Sequence, residues 1–278
     1  MARYGLIIDM NRCNGCYACF LACRDEYCGN DYLPYSAAQP ELGSYWMRIV
    51  ERERGSFPKI KMAYFRIPCM HCDSPACVEK SPAGAVYKRP DGIVIIDPVK
   101  AKGNKDIVGT CPYDVIYWNE QSQLPQKCTF CAHLLDKGWK EPRCVEVCPT
   151  EALIFGDLDD PNSKIAQRLT KEKAEVLHPE YNMNEKVLYV GLPKRFIAGS
   201  VVFGDTDKCA KDVTVTITGD GNTRTTETNN YGDFEVEELA KDTDYVVTID
   251  HQGYKKEEIK VRTRIDIYLG DLMLSKKN

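Results

Sequence analysis

The chain has 278 residues, a formal net charge of −4, 43% apolar and 28% charged residues. That balance excludes disordered and fibrous classes, and the length allows two domains, each with its own core. Basic residues are interspersed with acidic ones, so nothing marks a nucleic-acid partner, and no apolar run reaches the ~18 residues that span a bilayer.

The N-terminus reads as a short buried strand, Tyr4 to Asp9, and lacks a signal peptide's long apolar core. The expectation is a cytoplasmic protein without a membrane segment. Fourteen cysteines follow, thirteen of them before residue 149. They fall in tight groups two or three residues apart, where a disulfide scaffold would scatter them over a short secreted chain.

The first group is Cys13-x2-Cys16-x2-Cys19-x3-Cys23 and the second Cys69-x2-Cys72-x4-Cys77. A second apolar strand, Gly92 to Asp97, makes a weak internal repeat with the N-terminal one. The third group keeps only Cys111, followed by Pro112. The fourth is Cys128-x2-Cys131-x12-Cys144-x3-Cys148, followed by Pro149. Zinc takes four ligands from two C-x2-C pairs. A run of C-x2-C-x2-C-x3-C is instead the spacing of bacterial ferredoxins, whose first three thiolates hold one cubane and whose fourth reaches another cluster.

Sharing the fourth ligand pairs the groups. One [4Fe–4S] cluster is expected on Cys13, Cys16, Cys19 and Cys148, and a second on Cys23, Cys128, Cys131 and Cys144. The third is expected on Cys69, Cys72, Cys77 and Cys111. Counting back from Cys111 in ferredoxin spacing lands on Ile107, Asn104 and Ala101, and the fourth ligand would stand at Ser81, before Pro82. All four ligands of one cluster are replaced together, so the site is the vestige of a four-cluster ancestor. Cys28 and Cys209 have no partner in this scheme and read as ordinary small side chains. His71 and His133 stand inside cysteine groups that are complete without them, which favours supporting roles. Arg12, Arg24, Lys127 and Arg143 can raise cluster potentials by offsetting charge, although most of them read as plain solvated surface.

Residues 161–195 are polar, with helical spacing at Ile165, Leu169, Ala174 and Leu177, and read as a connecting arm. From residue 196 the texture changes to short β-branched runs, such as Val213 to Ile217 and Tyr245 to Ile249. Turn signals such as Gly219 to Asn222 separate them. Alternation points Val215, Ile217, Phe234, Val247 and Ile249 inward. The expected fold class is α+β. A nested double bacterial-ferredoxin-like module spans 1–160, the arm 161–195, and a small all-β sandwich 196–278.

The layout resembles the electron-transfer subunits of molybdopterin oxidoreductases of the dimethyl sulfoxide reductase family. The resemblance is carried by Pro68-Cys69-Met70-His71-Cys72, Cys111-Pro112-Tyr113, Lys127-Cys128-Thr129-Phe130-Cys131 and Pro142 to Leu153. The later strands, with Thr228 to Phe234 and Gly253-Tyr254, resemble the transthyretin-like sandwich. Three clusters with such a sandwich appended resemble the small subunits of pyrogallol–phloroglucinol transhydroxylases. That resemblance implies a large catalytic partner subunit holding a molybdenum bis-pterin guanine dinucleotide cofactor and moving a hydroxyl group between polyphenols. It implies no catalytic residue on this chain. Two other functions stay open: the wire of a dimethyl sulfoxide, polysulfide, thiosulfate or nitrite reductase, and a ligand-binding protein whose clusters are structural.

Overall fold

The computed structural model describes residues 2–277. Two compact units are formed, one from residues up to Glu51 together with Tyr64–Leu192, the other from Arg52–Ala63 and the chain from Pro193 on.

In chain order the first unit opens with strand β1 (Tyr4–Asp9) and helix α1 (Ala18–Tyr27). The hairpin β2 (Arg48–Ser56) and β3 (Lys59–Ile67) follows, contributing its base to this unit and its tip to the other. Next come α2 (Ala76–Glu79), the strand pair β4 (Val86–Lys88) and β5 (Val94–Ile96), and the pair β6 (Tyr117–Asn119) and β7 (Leu124–Gln126). Then follow α3 (Ala132–Leu135), α4 (Arg143–Glu146), β8 (Leu153–Asp157), α5 (Lys164–Lys171) and β9 (Val187–Val190).

β1 is apolar at consecutive positions because it is the middle strand of a sheet, antiparallel to β8 and parallel to β9, and Leu6, Ile7 and Ile8 are all buried. A strand covered on both faces loses the alternating pattern. One core gathers Leu6, Ile8, Tyr27, Trp46, Phe130 and Phe155 around cysteines of all four groups, Cys19, Cys23, Cys69, Cys131 and Cys144 among them, with Cys111 at its margin. A smaller one gathers Val86, Val94, Ile96, Ala101, Ile107 and Ile116 beside Cys77.

The sequence places 161–195 in a connecting arm, whereas residues through Leu192 pack with the first unit. The helical spacing there does form α5, capped by the Ser163 hydroxyl, which accepts from the Ala166 N–H at 3.1 Å. Ile165 is buried, Arg168 pairs with the buried Asp9 of β1, and β9 adds to β1. These contacts hold the segment against the sheet.

The second unit carries β10 (Arg195–Phe203), β11 (Lys208–Cys209), β12 (Thr214–Gly219), β13 (Asn222–Glu227), β14 (Asp233–Leu239), β15 (Asp244–Asp250), β16 (Glu257–Arg262) and β17 (Ile267–Leu274). Strands β11-β10-β14, with β17 parallel to β10, form one sheet, and β13-β12-β15-β16 form another. Val215, Ile217, Phe234, Val247 and Ile249 are all buried in one shared core with Ile197, Val201 and Leu274. Residues 52–63 join this unit through charge. The Arg54 guanidinium grips the buried Asp266 carboxylate with two bonds of 3.0 and 2.8 Å, and Lys61 pairs with Glu235 and Glu237. Nothing local in the sequence marks that attachment.

Candidate iron–sulfur centre

Cys69, Cys72, Cys77 and Cys111 line one partly open cavity with about 380 Å³ of empty volume, together with apolar neighbours that include Met70, Val94 and Ile116. Burial and the adjacent thiolates, Cys69 first among them, raise the Cys72 thiol far above its ordinary range. Burial pushes Cys77 up to about 11, against a partial lowering by Lys127. Neutral thiols packed this way give up their protons when a cation replaces them, so loading and deprotonation are coupled. All fourteen cysteines are free of disulfides.

Cysteines of the first and fourth groups lie near one another. Cys19, Cys23 and Tyr27 are buried along one face of α1, at four-residue spacing. The two cysteines nevertheless face different company. Cys23 is raised by burial and then by Cys128, Cys131 and, less, Cys19, and Cys144 by burial and then by Cys131, Cys128, Cys23 and, less, Cys19. Cys19 is raised by burial, held down by Arg66, and raised by Cys148 and Cys13. Cys16, on the same loop, is exposed.

The loops between these cysteines have a backbone suited to an anion. Gly15, Tyr17, His71, Phe130 and Cys131 all adopt positive φ, between 45° and 75°. Such turns gather successive N–H groups into a concavity. The Phe130 N–H donates to Cys128 Sγ at 3.4 Å. Backbone N–H groups of Met47, Tyr113 and Val115, and Arg143 favour the thiolates of Cys23, Cys111 and Cys131 respectively. The Tyr27 hydroxyl does the same for Cys131 and is also bonded to Thr129 Oγ1 at 2.8 Å. Hydrogen bonds to sulfur are among the levers that set cluster potentials. These residues fit a cubane: thiols from separate loops, with an N–H group aimed at sulfur. Among the described residues no three Cys, His, Asp or Glu side chains converge tightly enough to hold a single ion.

Gly15 is required at its place. Its φ is +75°, and a Cβ there would lie 2.5 Å from the Tyr64 ring. Gly15→Ala is expected to cost about 1–3 kcal/mol through strain, read as a lower Tm and as faster iron loss from the Cys13–Cys19 loop.

His71 holds a supporting place: its Nδ1 accepts from the Val94 N–H at 3.0 Å and its ring packs 3.8 Å from Phe130. His133 bonds Glu26 through Nε2 at 2.9 Å and stacks on Tyr32. Cys28 lies beside Arg24 and the Pro40 carbonyl, and Cys209 is exposed on β11 of the second unit. The four positions expected to have lost a cluster divide into two packed and two polar ones. Ala101 and Ile107 are fully buried in the smaller apolar core, Asn104 donates to the Lys100 carbonyl at 3.3 Å, and the buried Ser81 hydroxyl has no hydrogen-bond partner. Tyr27 and Arg66 are supporting residues that the cysteine spacing does not name. Tyr27 has a signal, being one turn beyond Cys23. Arg66 comes from β3 and has none.

Residues 60–158 match the family described as the 4Fe-4S dicluster domain. Over 281 aligned residues the chain is 39% identical to the pyrogallol hydroxytransferase small subunit of Pelobacter acidigallici, covering 99% of this chain and all of that one. It is 38% identical to a tetrathionate reductase subunit of Salmonella typhimurium, over 70% of this chain and 75% of that one. It is 31% identical to the arsenate respiratory reductase iron-sulfur subunit of a Shewanella species, over 68% and 96%. The chain belongs to the iron–sulfur subunits of molybdopterin oxidoreductases of the dimethyl sulfoxide reductase family, with a full-length likeness to the small subunit of pyrogallol hydroxytransferase.

Proposed function

We propose that the chain is the electron-transfer subunit of a cytoplasmic molybdenum enzyme and holds three [4Fe–4S] clusters, on Cys13, Cys16, Cys19 and Cys148; on Cys23, Cys128, Cys131 and Cys144; and on Cys69, Cys72, Cys77 and Cys111. Its fold is then a nested double ferredoxin-like module followed by a transthyretin-like sandwich. The partner is a large catalytic subunit with a molybdenum bis-pterin cofactor, and the reaction is transfer of a hydroxyl group between polyphenols.

One observation carries the choice of reaction. The likeness to the transhydroxylase small subunit runs through both units, while those to the tetrathionate and arsenate reductase subunits cover about 70% of the chain. When bound, the clusters supply one-electron exchange. The chain's own residues shield the buried thiols, through Met70, Val94 and Ile116 at the inner site and Trp46, Phe130 and Val145 beside Cys19, Cys23, Cys131 and Cys144. They also aim an N–H group at sulfur, that of Phe130 at Cys128.

The copurified complex is expected to contain about twelve irons and twelve acid-labile sulfides per copy of this chain, after subtracting any on the partner. A value near sixteen would place a cluster at the vestigial site. A value near eight would break one proposed ligand set. Hydroxyl transfer from pyrogallol, followed by chromatography of the products, tests the reaction.

A further inference from the structure

Four basic residues stand next to cysteine groups in the sequence, and the structure separates one from the rest. Arg12 is half exposed and reaches Asp9 and Glu151. Arg143 pairs with Glu26 and Glu146. Arg24 bonds the Gln39 side chain and the carbonyls of Ser44, Pro40 and Glu41. Lys127 is 2% exposed. Its ammonium donates to the carbonyls of Val94 and, at 3.2 Å, Cys128, and among the described residues no carboxylate pairs with it.

A buried ammonium held only by neutral carbonyls is costly, and native proteins balance such a charge with an opposite one. The opposite charge has an evident source. Lys127 lines the cavity of Cys69, Cys72, Cys77 and Cys111, and its backbone runs directly into Cys128 of the next ligand set. A cubane with four thiolates is anionic and becomes more so by one charge on reduction. The ammonium therefore faces the ligands of one cluster across the cavity it lines and stands one residue from a ligand of the other. None of Cys13, Cys16, Cys19 and Cys148 lines that cavity.

We propose that Lys127 is the shared counter-charge of two neighbouring clusters, the one on Cys69, Cys72, Cys77 and Cys111 and the one on Cys23, Cys128, Cys131 and Cys144. It raises both reduction potentials together and offsets the repulsion between an electron on one cluster and an electron on the other. The cluster on Cys13, Cys16, Cys19 and Cys148 is tuned independently of it. This rests on the three-cluster assignment above. The iron count of the unaltered complex tests that assignment separately, so failure of the one is distinguishable from failure of the other.

The test is a potentiometric titration of the whole complex, followed by electron paramagnetic resonance, for the unaltered protein and for Lys127→Met, Lys127→Gln and Lys127→Arg. In K127M, with iron content unchanged, two of the three clusters are expected to show at least a tenfold fall in the reduced-to-oxidised ratio at fixed poise. For a one-electron couple that is about 59 mV. The third cluster is expected to stay where it was, and K127R to restore both shifted values to within about twofold. K127Q keeps a donor for the Val94 and Cys128 carbonyls without the charge, and gives the same two shifts if K127M loses iron. Unchanged potentials, a shift confined to one cluster, or equal shifts in all three would overturn the proposal. Iron loss in K127M and K127Q alike would also overturn it, because Lys127 would then be a structural clamp.

Discussion

Changing Cys23 to serine is expected to remove the cluster on Cys128, Cys131 and Cys144 and to leave the one on Cys13, Cys16, Cys19 and Cys148 in place. The result is unexpected from sequence distance, since Cys23 stands one helical turn after Cys19 and far along the chain from Cys128. The physical reason lies in α1. Four residues advance a helix by about 6 Å on the same face, which separates two thiols enough to serve two sites while both stay buried. Cys23 is influenced by Cys128 and Cys131 ahead of Cys19, and Cys19 by Arg66 and then Cys148 and Cys13. Iron should fall by about four of about twelve in Cys23→Ser and again in Cys148→Ser, with a different resonance lost in each variant. Were Cys13→Ser and Cys23→Ser to lose the same resonance, the interleaved ligand sets would be wrong.

The same pair of residues shows what a sequence makes visible. Cysteine spacing is legible because a cubane imposes local geometry: thiolates as close in sequence as Cys13, Cys16 and Cys19 can only wrap one object. The inward positions of the second unit, Val215, Ile217, Val247 and Ile249, are legible because alternation is also local. Contacts between distant charges are not. Asp266 shows no hint of Arg54, nor Asp9 of Arg168, although both acids are nearly fully buried. For that reason 52–63 and 161–192 each pack where composition alone does not place them. β9 is hidden for another reason: its four residues, Val187 to Val190, stand amid polar neighbours, too short for periodicity to register. Lys127 reads as surface because a lysine beside a C-x2-C pair looks the same in sequence whether its ammonium meets water or a buried site.

The vestigial site gives the second large effect. Ile107 is 1% exposed and packs with Ala101, Val94, Ile96 and Ile116 against Cys77. It also belongs to the tight turn Lys105–Thr110 that delivers Cys111, where the Thr110 hydroxyl donates to the Ile107 carbonyl at 2.7 Å. Ile107→Ala is expected to cost about 2–5 kcal/mol, the transfer free energy plus a cavity the rigid turn cannot close, and Ile107→Val about 0.5–1.5 kcal/mol. A lower Tm reads the first effect. The second is selective: loosening the turn should let a chelator strip the Cys69, Cys72, Cys77 and Cys111 site before the other two. Restoring all four cysteines, as Ser81→Cys, Ala101→Cys, Asn104→Cys and Ile107→Cys, is expected to lower stability without bringing a fourth cluster. Ala101 and Ile107 now occupy a close-packed core, and a cubane could enter only by displacing Val86, Val94 and Ile96. Iron near sixteen in that quadruple variant would show that the packing had remained open to a cluster after its ligands were lost.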